Sequence, residues 1–182
     1  MKKIIPLTLL LALCLLPHRL YAQKDGSLLH TGDALPDFSF VLNDGRPVTT
    51  DSLKGRPSLI AFFNTSCSDC RKELPVLQEI YDQWRPYIYI ICVSRAEPEA
   101  SIEAFWKEQQ LSLPYSAQTD RSIYSLFAQR GIPKLYISDS SGTICQMFSE
   151  KVSRRKLLKA IKAVTTDKKQ LTTIRPLWTT TS

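Results

Sequence analysis

The chain has 182 residues and a formal net charge of +7, and where that charge lies limits the possible functions. Residues 150–182 contain nine basic and two acidic residues, so the basic surplus lies on one terminal helix and its tail. Nucleic-acid-binding surfaces combine such charge with interleaved aromatic residues or a recognisable module, and this segment has neither. We therefore interpret it as a solvated helix face and predict no nucleic-acid partner.

The first 22 residues are predicted to be a signal peptide. Lys2 and Lys3 give a positive start, an apolar run follows at 4–16, and Ala22 is the small residue before a cleavage site. The run is shorter than the roughly 20 apolar residues of a membrane span, and a retained anchor is the alternative. We predict an exported protein of the periplasm or cell envelope. Because residues 1–22 carry three basic and no acidic residues, the remaining chain has a net charge of +4.

The rest of the chain is predicted to form one domain. About 160 residues follow the signal, enough for a single hydrophobic core. We assign 23–34 to an N-terminal lead, 35–165 to the domain and 166–182 to a polar tail.

The first predicted elements are a β-hairpin and a buried strand. Residues 37–42 alternate apolar and polar side chains, 43–45 supply a turn, and 47–50 return as the partner strand. Residues 58–63 form a continuous apolar run, as expected for a central strand buried on both faces.

A long helix is predicted from Cys67 to about Trp84, because apolar residues recur at steps of three and four. Pro75 falls inside this pattern and is expected to kink the helix rather than end it. The remaining predicted elements are a buried strand at 87–93, a helix at 98–110, a short helix at 121–130 closed by Gly131, strands at 135–137 and 143–148, and a last helix from 153. This alternation predicts an α/β fold with a central mixed sheet flanked by helices on both faces.

The segment Cys67-Ser68-Asp69-Cys70 places two cysteines between a buried strand and a helix. The unpaired N–H groups and the macrodipole of a helix N-terminus favour a negative charge, so a thiolate at Cys67 is predicted to be the nucleophile. Cys70, one turn further along, is predicted to resolve the mixed disulfide by attacking Cys67. No cofactor is expected beyond this redox-active disulfide.

A CxxC pair alone also suits a structural disulfide or half of a metal site. Zinc would need a second ligand pair, and His30 is the only histidine after residue 22. We therefore predict no metal site. Cys92 and Cys145 fall within predicted strands on different sides of the central strand, and we expect both to be buried free thiols.

Three motifs spread along the chain carry a family resemblance: GDALPDF at 32–38, FFNTSCSDCRKELP at 62–75 and GIP at 131–133. They resemble the thioredoxin superfamily, specifically the exported TlpA/ResA-like thiol–disulfide oxidoreductases. The resemblance implies a thioredoxin-like fold with an extra N-terminal β-hairpin. It also implies a cis peptide bond at Pro133 beside the disulfide, a substrate backbone held near Ile132, and a role for Glu73 as general base toward Cys70.

Two positions depart from the family pattern. The family usually has Trp where this chain has Ser66, which we therefore include in the substrate-binding surface and expect to alter docking. Thioredoxin has a buried aspartate where this chain has Ala61, which leaves Glu73 as the nearest candidate acid. Within the motif, Asp69 either opposes a thiolate at Cys67 or is a helix N-terminal acid stabilised by the dipole.

These observations predict an exported thiol–disulfide oxidoreductase, which we expect to be a monomer with protein thiol or disulfide clients and a membrane or exported thiol donor. The direction of electron flow is implied by the resemblance alone, which indicates a disulfide reductase. One alternative is a binding module or metallochaperone with a non-exchanging cysteine pair. Another is a peroxiredoxin-like peroxidase, although Ile60 and Asn64 stand where peroxiredoxins typically have Pro and Thr or Ser.

Overall fold

A computed structural model describes residues 25–165 of the chain. The predicted signal peptide and polar tail lie outside the described residues. Within the described range, none of the helices combines the length and the apolar character that crossing a bilayer requires. Along this range the elements are β1 (Ser39–Val41), β2 (Pro47–Thr49), a 3-10 helix (Asp51–Leu53), β3 (Ser58–Phe63), α1 (Ser68–Trp84), β4 (Tyr89–Ser94), α2 (Glu99–Glu108), β5 (Tyr115–Ser116), α3 (Ser122–Phe127), β6 (Lys134–Ser138), β7 (Ile144–Phe148) and α4 (Arg154–Thr165).

The main sheet has five strands in the order β5-β4-β3-β6-β7, and β1 and β2 form a separate antiparallel hairpin. Strand β3 pairs parallel with β4 and antiparallel with β6, so the sheet is mixed. All six residues of β3 are buried, which explains why its sequence is a continuous apolar run. The predicted α/β fold, a mixed sheet flanked by helices with an additional N-terminal hairpin, is confirmed.

Two hydrophobic clusters cover opposite faces of this sheet. Alternate β3 residues divide between them because side chains point to opposite faces along a strand. Leu59, Ala61 and Phe63 join the cluster formed with α1, α2 and α4. Ile60 and Phe62 join the cluster formed with the hairpin and α3. Each large apolar side chain buried in this way contributes about 1.5–3 kcal/mol, so both layers hold β3 and its C-terminal end in place.

Helix α1 runs through Pro75 without interruption over 17 residues. Of the predicted apolar stripe, Leu74 and Leu77 are buried, and Tyr81 and Trp84 are partly buried against the same cluster. Ile80, which was not predicted to belong to the stripe, is fully buried. The predicted continuation of the helix beyond Pro75 is therefore confirmed.

Two local features differ from the sequence predictions. Strand β5 was not predicted, because its two residues are too few to show a period; they pair with Cys92 and Val93 of β4. The helix predicted at 121–130 ends at Phe127, because Ala128 is extended and forms a bridge with Ser27.

The two isolated cysteines lie on opposite sides of β3, as expected, since β4 carries one and β7 the other. Both are free thiols. Cys92 is fully buried, whereas Cys145 is only half-buried because β7 is the edge strand. Burial raises the pKa of each thiol, which leaves both in the unreactive protonated form near neutral pH.

Candidate active site

Cys67 is the N-cap residue of α1, directly after the C-terminal end of β3. Its backbone is extended, with φ −82° and ψ 120°, and its Sγ accepts the N–H of Cys70 at 3.3 Å. The sulfur therefore occupies the place of a capping oxygen, where the helix dipole favours a negative charge. Cys67 is partly exposed, so this sulfur is accessible to another molecule.

Cys70 lies one turn further along α1 and is 0% exposed. Burial and the hydrogen bond with Cys67 raise the pKa of the Cys70 thiol well above its ordinary value. Both cysteines are free thiols. The two sulfurs therefore differ in kind, since one is accessible and placed on a helix dipole while the other is buried and protonated.

A loop that carries a cis peptide bond between Ile132 and Pro133 faces Cys67. The Cys67 thiol donates to the carbonyl oxygen of Ile132, with the two atoms 3.7 Å apart. Pro133 is buried and Ile132 is half-buried. The structure thus brings together Cys67, Cys70 and the loop that the resemblance implied, including its cis bond.

Glu73 lies three residues after Cys70 on α1, and its side chain is 1% exposed. Its Oε2 accepts the N–H of Val152 at 3.2 Å, while Oε1 has no hydrogen-bond partner among the described residues. Burial raises the pKa of this carboxyl, although the Val152 hydrogen bond and the charge of Lys151 oppose the shift. Glu73 and Cys70 are three positions apart on the same helix, and the role of Glu73 as a general base toward Cys70 stays a prediction.

The loop before Cys67 is held by Glu97, which the sequence analysis did not select. Glu97 is 7% exposed, and its carboxylate accepts the N–H of Thr65 at 2.9 Å and the hydroxyl of the same residue. Glu97 follows the end of β4 as Thr65 follows the end of β3, and these strands are parallel. A polar residue just after a neighbouring parallel strand was the signal that could have identified it.

Ser66, the residue that precedes the motif, is exposed. Its N–H donates to Asn64 Oδ1 at 2.9 Å, and its hydroxyl donates to the same oxygen. Ser66 is thus a small, exposed residue at the position where the family usually has Trp. That this difference alters the docking of clients stays a prediction. Asp69 is also exposed and lies 3.8 Å from the ammonium of Lys72.

An open cavity of about 470 Å³ adjoins the same loop. Asp69, Ile132 and Pro133 form the side nearest the cysteines, and Glu150 and Lys151 the far side. It extends from Asp69 of the motif, along the loop with the cis bond, to the segment before α4.

Lys134 follows Pro133 and is buried beneath the loop, at 1% exposure. Its ammonium donates to Ser27 Oγ at 2.8 Å and to the carbonyl oxygen of Asp25 at 3.0 Å. This contact leaves no signal in the sequence, because the partners are separated by more than 100 positions and a buried lysine is rare.

Comparisons with known proteins agree with this geometry. The thiol-disulfide oxidoreductase ResA of a Bacillus cereus strain is 24% identical over 123 residues, which cover 67% of this chain and 71% of that protein. The solution structure of a candidate protein disulfide isomerase from Bacteroides thetaiotaomicron has a TM-score of 0.74 and 25% identity, covering 81% of this chain and 97% of that one. A thiol:disulfide interchange protein of the thioredoxin family from Chlorobium tepidum TLS has a TM-score of 0.65 and 23% identity, covering 75% and 98%.

The fold, together with a cysteine pair at a helix N-terminus, defines a thiol–disulfide oxidoreductase of the thioredoxin superfamily. The chain belongs to the AhpC/TSA family, whose profile matches residues 31–147, more than half of its length. The predicted superfamily and the predicted class of enzyme are thereby confirmed.

Proposed function

We propose that the protein is an exported disulfide reductase in which Cys67 attacks and Cys70 resolves. The observation that carries this assignment is the contrast between the two sulfurs. Cys67 is accessible at the N-terminus of α1, and Cys70 is buried beside it with a raised pKa. A client disulfide reaches only the first sulfur, so the order of attack follows from access and charge.

The reaction transfers two electrons from the cysteine pair to the client. The Cys67 thiolate attacks one client sulfur, the client disulfide breaks, and the other client sulfur leaves as a thiolate and takes up a proton. A mixed disulfide now joins Cys67 to the client. Cys70 then loses its proton and attacks Cys67 Sγ, which breaks the mixed disulfide and releases the second client sulfur as a thiolate that takes up a proton. The client leaves as a dithiol, and a Cys67–Cys70 disulfide remains for an exported or membrane thiol donor to reduce.

Glu73 is the proposed acceptor of the Cys70 proton. Its unpartnered Oε1 and its raised pKa favour uptake of a proton inside the protein. The Ile132 carbonyl and Pro133 form the proposed docking edge for the client backbone, and Ser66 widens that edge. We further propose that the protein acts as a monomer and that its clients are protein disulfides.

The test of the cysteine roles is disulfide trapping with oxidised insulin as the client. The Cys70→Ala variant is expected to accumulate a mixed disulfide through Cys67, detected by mass spectrometry, whereas Cys67→Ala accumulates none. Cys92→Ala is the matched control, because it removes a buried thiol of β4 outside the motif and is expected to leave exchange unchanged. Accumulation of the mixed disulfide by Cys67→Ala, with none in Cys70→Ala, would reverse the assigned roles.

The direction of electron flow is tested by the redox equilibrium of the pair in glutathione buffers, read by thiol mass-tagging. A reductase is expected to have a potential near thioredoxin at roughly −270 mV, and an oxidant one near roughly −120 mV. A pair that exchanges with neither glutathione nor insulin would identify a binding module instead. Rapid consumption of hydrogen peroxide by Cys67, faster than exchange with insulin, would identify a peroxidase.

A further inference from the structure

A second cavity lies at the end of the molecule opposite the cysteines. It has a volume of about 310 Å³ and lies between the hairpin, the C-terminal end of α1 and the start of β4. Helix α1 begins at the cysteines and reaches this cavity after 17 residues, a distance of about 25 Å. Any ligand held here is therefore separate from the redox site.

The charged residues that line this cavity are all basic. Arg46, Arg56 and Arg85 line it, and its lining contains no acidic residue. Arg46 is neutralised from outside the cavity by Asp44, whose Oδ2 lies 2.7 Å from Arg46 Nε. Arg56 and Arg85 have no ion-pair partner among the described residues. The cavity thus presents two uncompensated guanidinium groups.

The two guanidinium groups are held by aromatic rings rather than by carboxylates. The guanidinium carbon of Arg56 lies 4.4 Å from the ring centroid of Tyr89, and that of Arg85 lies 5.7 Å from the centroid of Tyr81. Arg56 Nη2 also donates to the carbonyl oxygen of Arg85. Its Nε is buried and has no hydrogen-bond acceptor within residues 25–165, so this donor of the guanidinium is unpaired in the protein.

Apart from Ser52, the remainder of the wall is apolar and firmly anchored. Its apolar residues are Leu42, Pro47, Val48, Leu53, Ile88, Ile90, Ile91 and Pro114. The hairpin that forms one side is tied to β5: Asn43 N–H donates to the carbonyl oxygen of Tyr115 at 2.8 Å, and Ser116 Oγ donates to that of Val41 at 2.7 Å. The cavity is therefore already formed without a ligand, which reduces the ordering cost of binding.

We propose that this cavity binds a small amphipathic carboxylate. A planar guanidinium matches a carboxylate with two parallel hydrogen bonds, and the apolar wall would receive a short hydrocarbon or aromatic body. Ligand pockets span roughly 300–1,000 Å³, so a cavity of about 310 Å³ selects the small end of this class. The site is independent of the redox chemistry proposed for Cys67 and Cys70.

The test is an NMR titration of the ¹⁵N-labelled protein with hexanoate. Two further probes are 1-hexanol, which has the hydrocarbon chain without the negative charge, and inorganic phosphate, which has negative charge without a hydrocarbon chain. Saturable shifts confined to residues 42–57 and 81–91 are expected with hexanoate. Arg56→Gln and Arg85→Gln are each expected to weaken binding about tenfold, equivalent to roughly 1.4 kcal/mol. Cys67→Ala is expected to leave the affinity unchanged.

The matched control is Arg155→Gln, which removes an exposed arginine of α4 from a second basic and apolar surface. It is expected to leave hexanoate binding unchanged. Three results would overturn the proposal: absence of saturation, an equal loss of affinity in Arg155→Gln, or equal binding of 1-hexanol. Each would mean that the two arginines do not form a specific carboxylate site.

Discussion

Lys134 Nζ lies 3.6 Å from Asp25 Oδ2, and this contact joins the N-terminal lead to the residue that follows Pro133. The side chain of Lys134 is 1% exposed and that of Asp25 is 32% exposed. The ammonium also donates hydrogen bonds to Ser27 Oγ and to the Asp25 carbonyl oxygen, so two hydrogen bonds to the same segment support the ion pair. Residues 25–27 therefore support the loop that faces Cys67, although sequence alone assigned them to a lead outside the domain.

We expect Asp25→Asn to destabilise the protein more than Lys134→Met does. The first change leaves a buried ammonium without a counter-charge, which costs about 3–5 kcal/mol in a fully buried pair. Because Asp25 is one-third exposed, we expect about 2–3 kcal/mol here. The second change removes the charge and keeps the apolar stem, with an expected cost below about 2 kcal/mol. Urea unfolding of each variant measures both values.

The double variant tests whether charge is the cause. Asp25→Asn/Lys134→Met is expected to be more stable than Asp25→Asn alone, because the unpaired ammonium is gone. A double-mutant cycle gives the coupling energy directly. Equal losses in the two single variants that add in the double variant would contradict a charge pair and indicate packing alone.

The contribution of Asp25 to stability is expected to disappear in acid. Burial opposes its ionisation, but hydrogen bonds from Ser149 and Ser27 and the charge of Lys134 outweigh burial and hold the pKa of Asp25 well below its usual value. A carboxyl whose pKa is lower in the folded state stabilises the fold above its unfolded pKa, here 3.8, and loses that contribution as the pH falls. The free-energy difference between wild type and Asp25→Asn is therefore constant above about pH 5 and shrinks below pH 4. Urea unfolding between pH 2.5 and 7 measures it, and a difference that stays constant into acid would contradict the assignment.

Gly26→Ala is expected to destabilise the same segment through backbone conformation and contact together. Gly26 has φ +73°, and an added Cβ would overlap Arg130 Cγ and lie 3.1 Å from the Arg130 carbonyl oxygen. The left-handed conformation alone costs a non-glycine residue about 1–2 kcal/mol. Gly32→Ala is the matched control, since Gly32 has φ +99° and no atom within 4 Å of an added Cβ. The midpoint temperature of thermal unfolding is expected to be lower for Gly26→Ala than for Gly32→Ala. Equal decreases in the two variants would show that the contact with Arg130 does not destabilise the fold.

The sequence predicted those parts of the site that depend on periodicity and local spacing. The continuous apolar run of β3 and the stripe of α1 place the two cysteines at the junction of strand and helix, because each pattern repeats over many residues. The cis bond at Pro133 followed from a motif that resembles a known family. These signals are either local or repeated, so they can be read from a single chain.

The sequence could not predict contacts made by single side chains across long separations. Glu97 holds Thr65 over 32 positions, and Lys134 reaches Ser27 over 107. Neither leaves a periodic trace, and a lysine in a strand is expected to face solvent. Strand β5 escaped detection for a related reason, because two residues gain their strand conformation from pairing with β4 rather than from their own sequence.

Glu73→Gln is expected to stabilise the protein relative to wild type as the pH rises. Burial raises the pKa of Glu73 above its ordinary 4.5, against the opposing effects of the Val152 hydrogen bond and Lys151. The folded state therefore holds the proton more tightly than the unfolded state, and wild-type stability declines relative to Glu73→Gln from about pH 4.5 upward. Glu79→Gln, an exposed glutamate on the same helix, is the control. Urea unfolding at pH 4, 5, 6 and 7 measures the trend, and an unchanging difference would mean that burial does not affect this carboxyl.

The same variant separates a catalytic from a merely structural role of Glu73. If its carboxylate accepts the Cys70 proton, Glu73→Gln is expected to slow release of the Cys67 mixed disulfide by about 10²-fold or more, while formation of that mixed disulfide keeps its wild-type rate. In the wild type, the rate of release is expected to change with pH as Glu73 titrates, and this change is expected to be absent in Glu73→Gln. A structural role would change stability without changing the ratio of the two rates. Urea unfolding of the same variant at the same pH shows the fraction that is folded, so slower release with unchanged formation of the mixed disulfide assigns the effect to the resolving step.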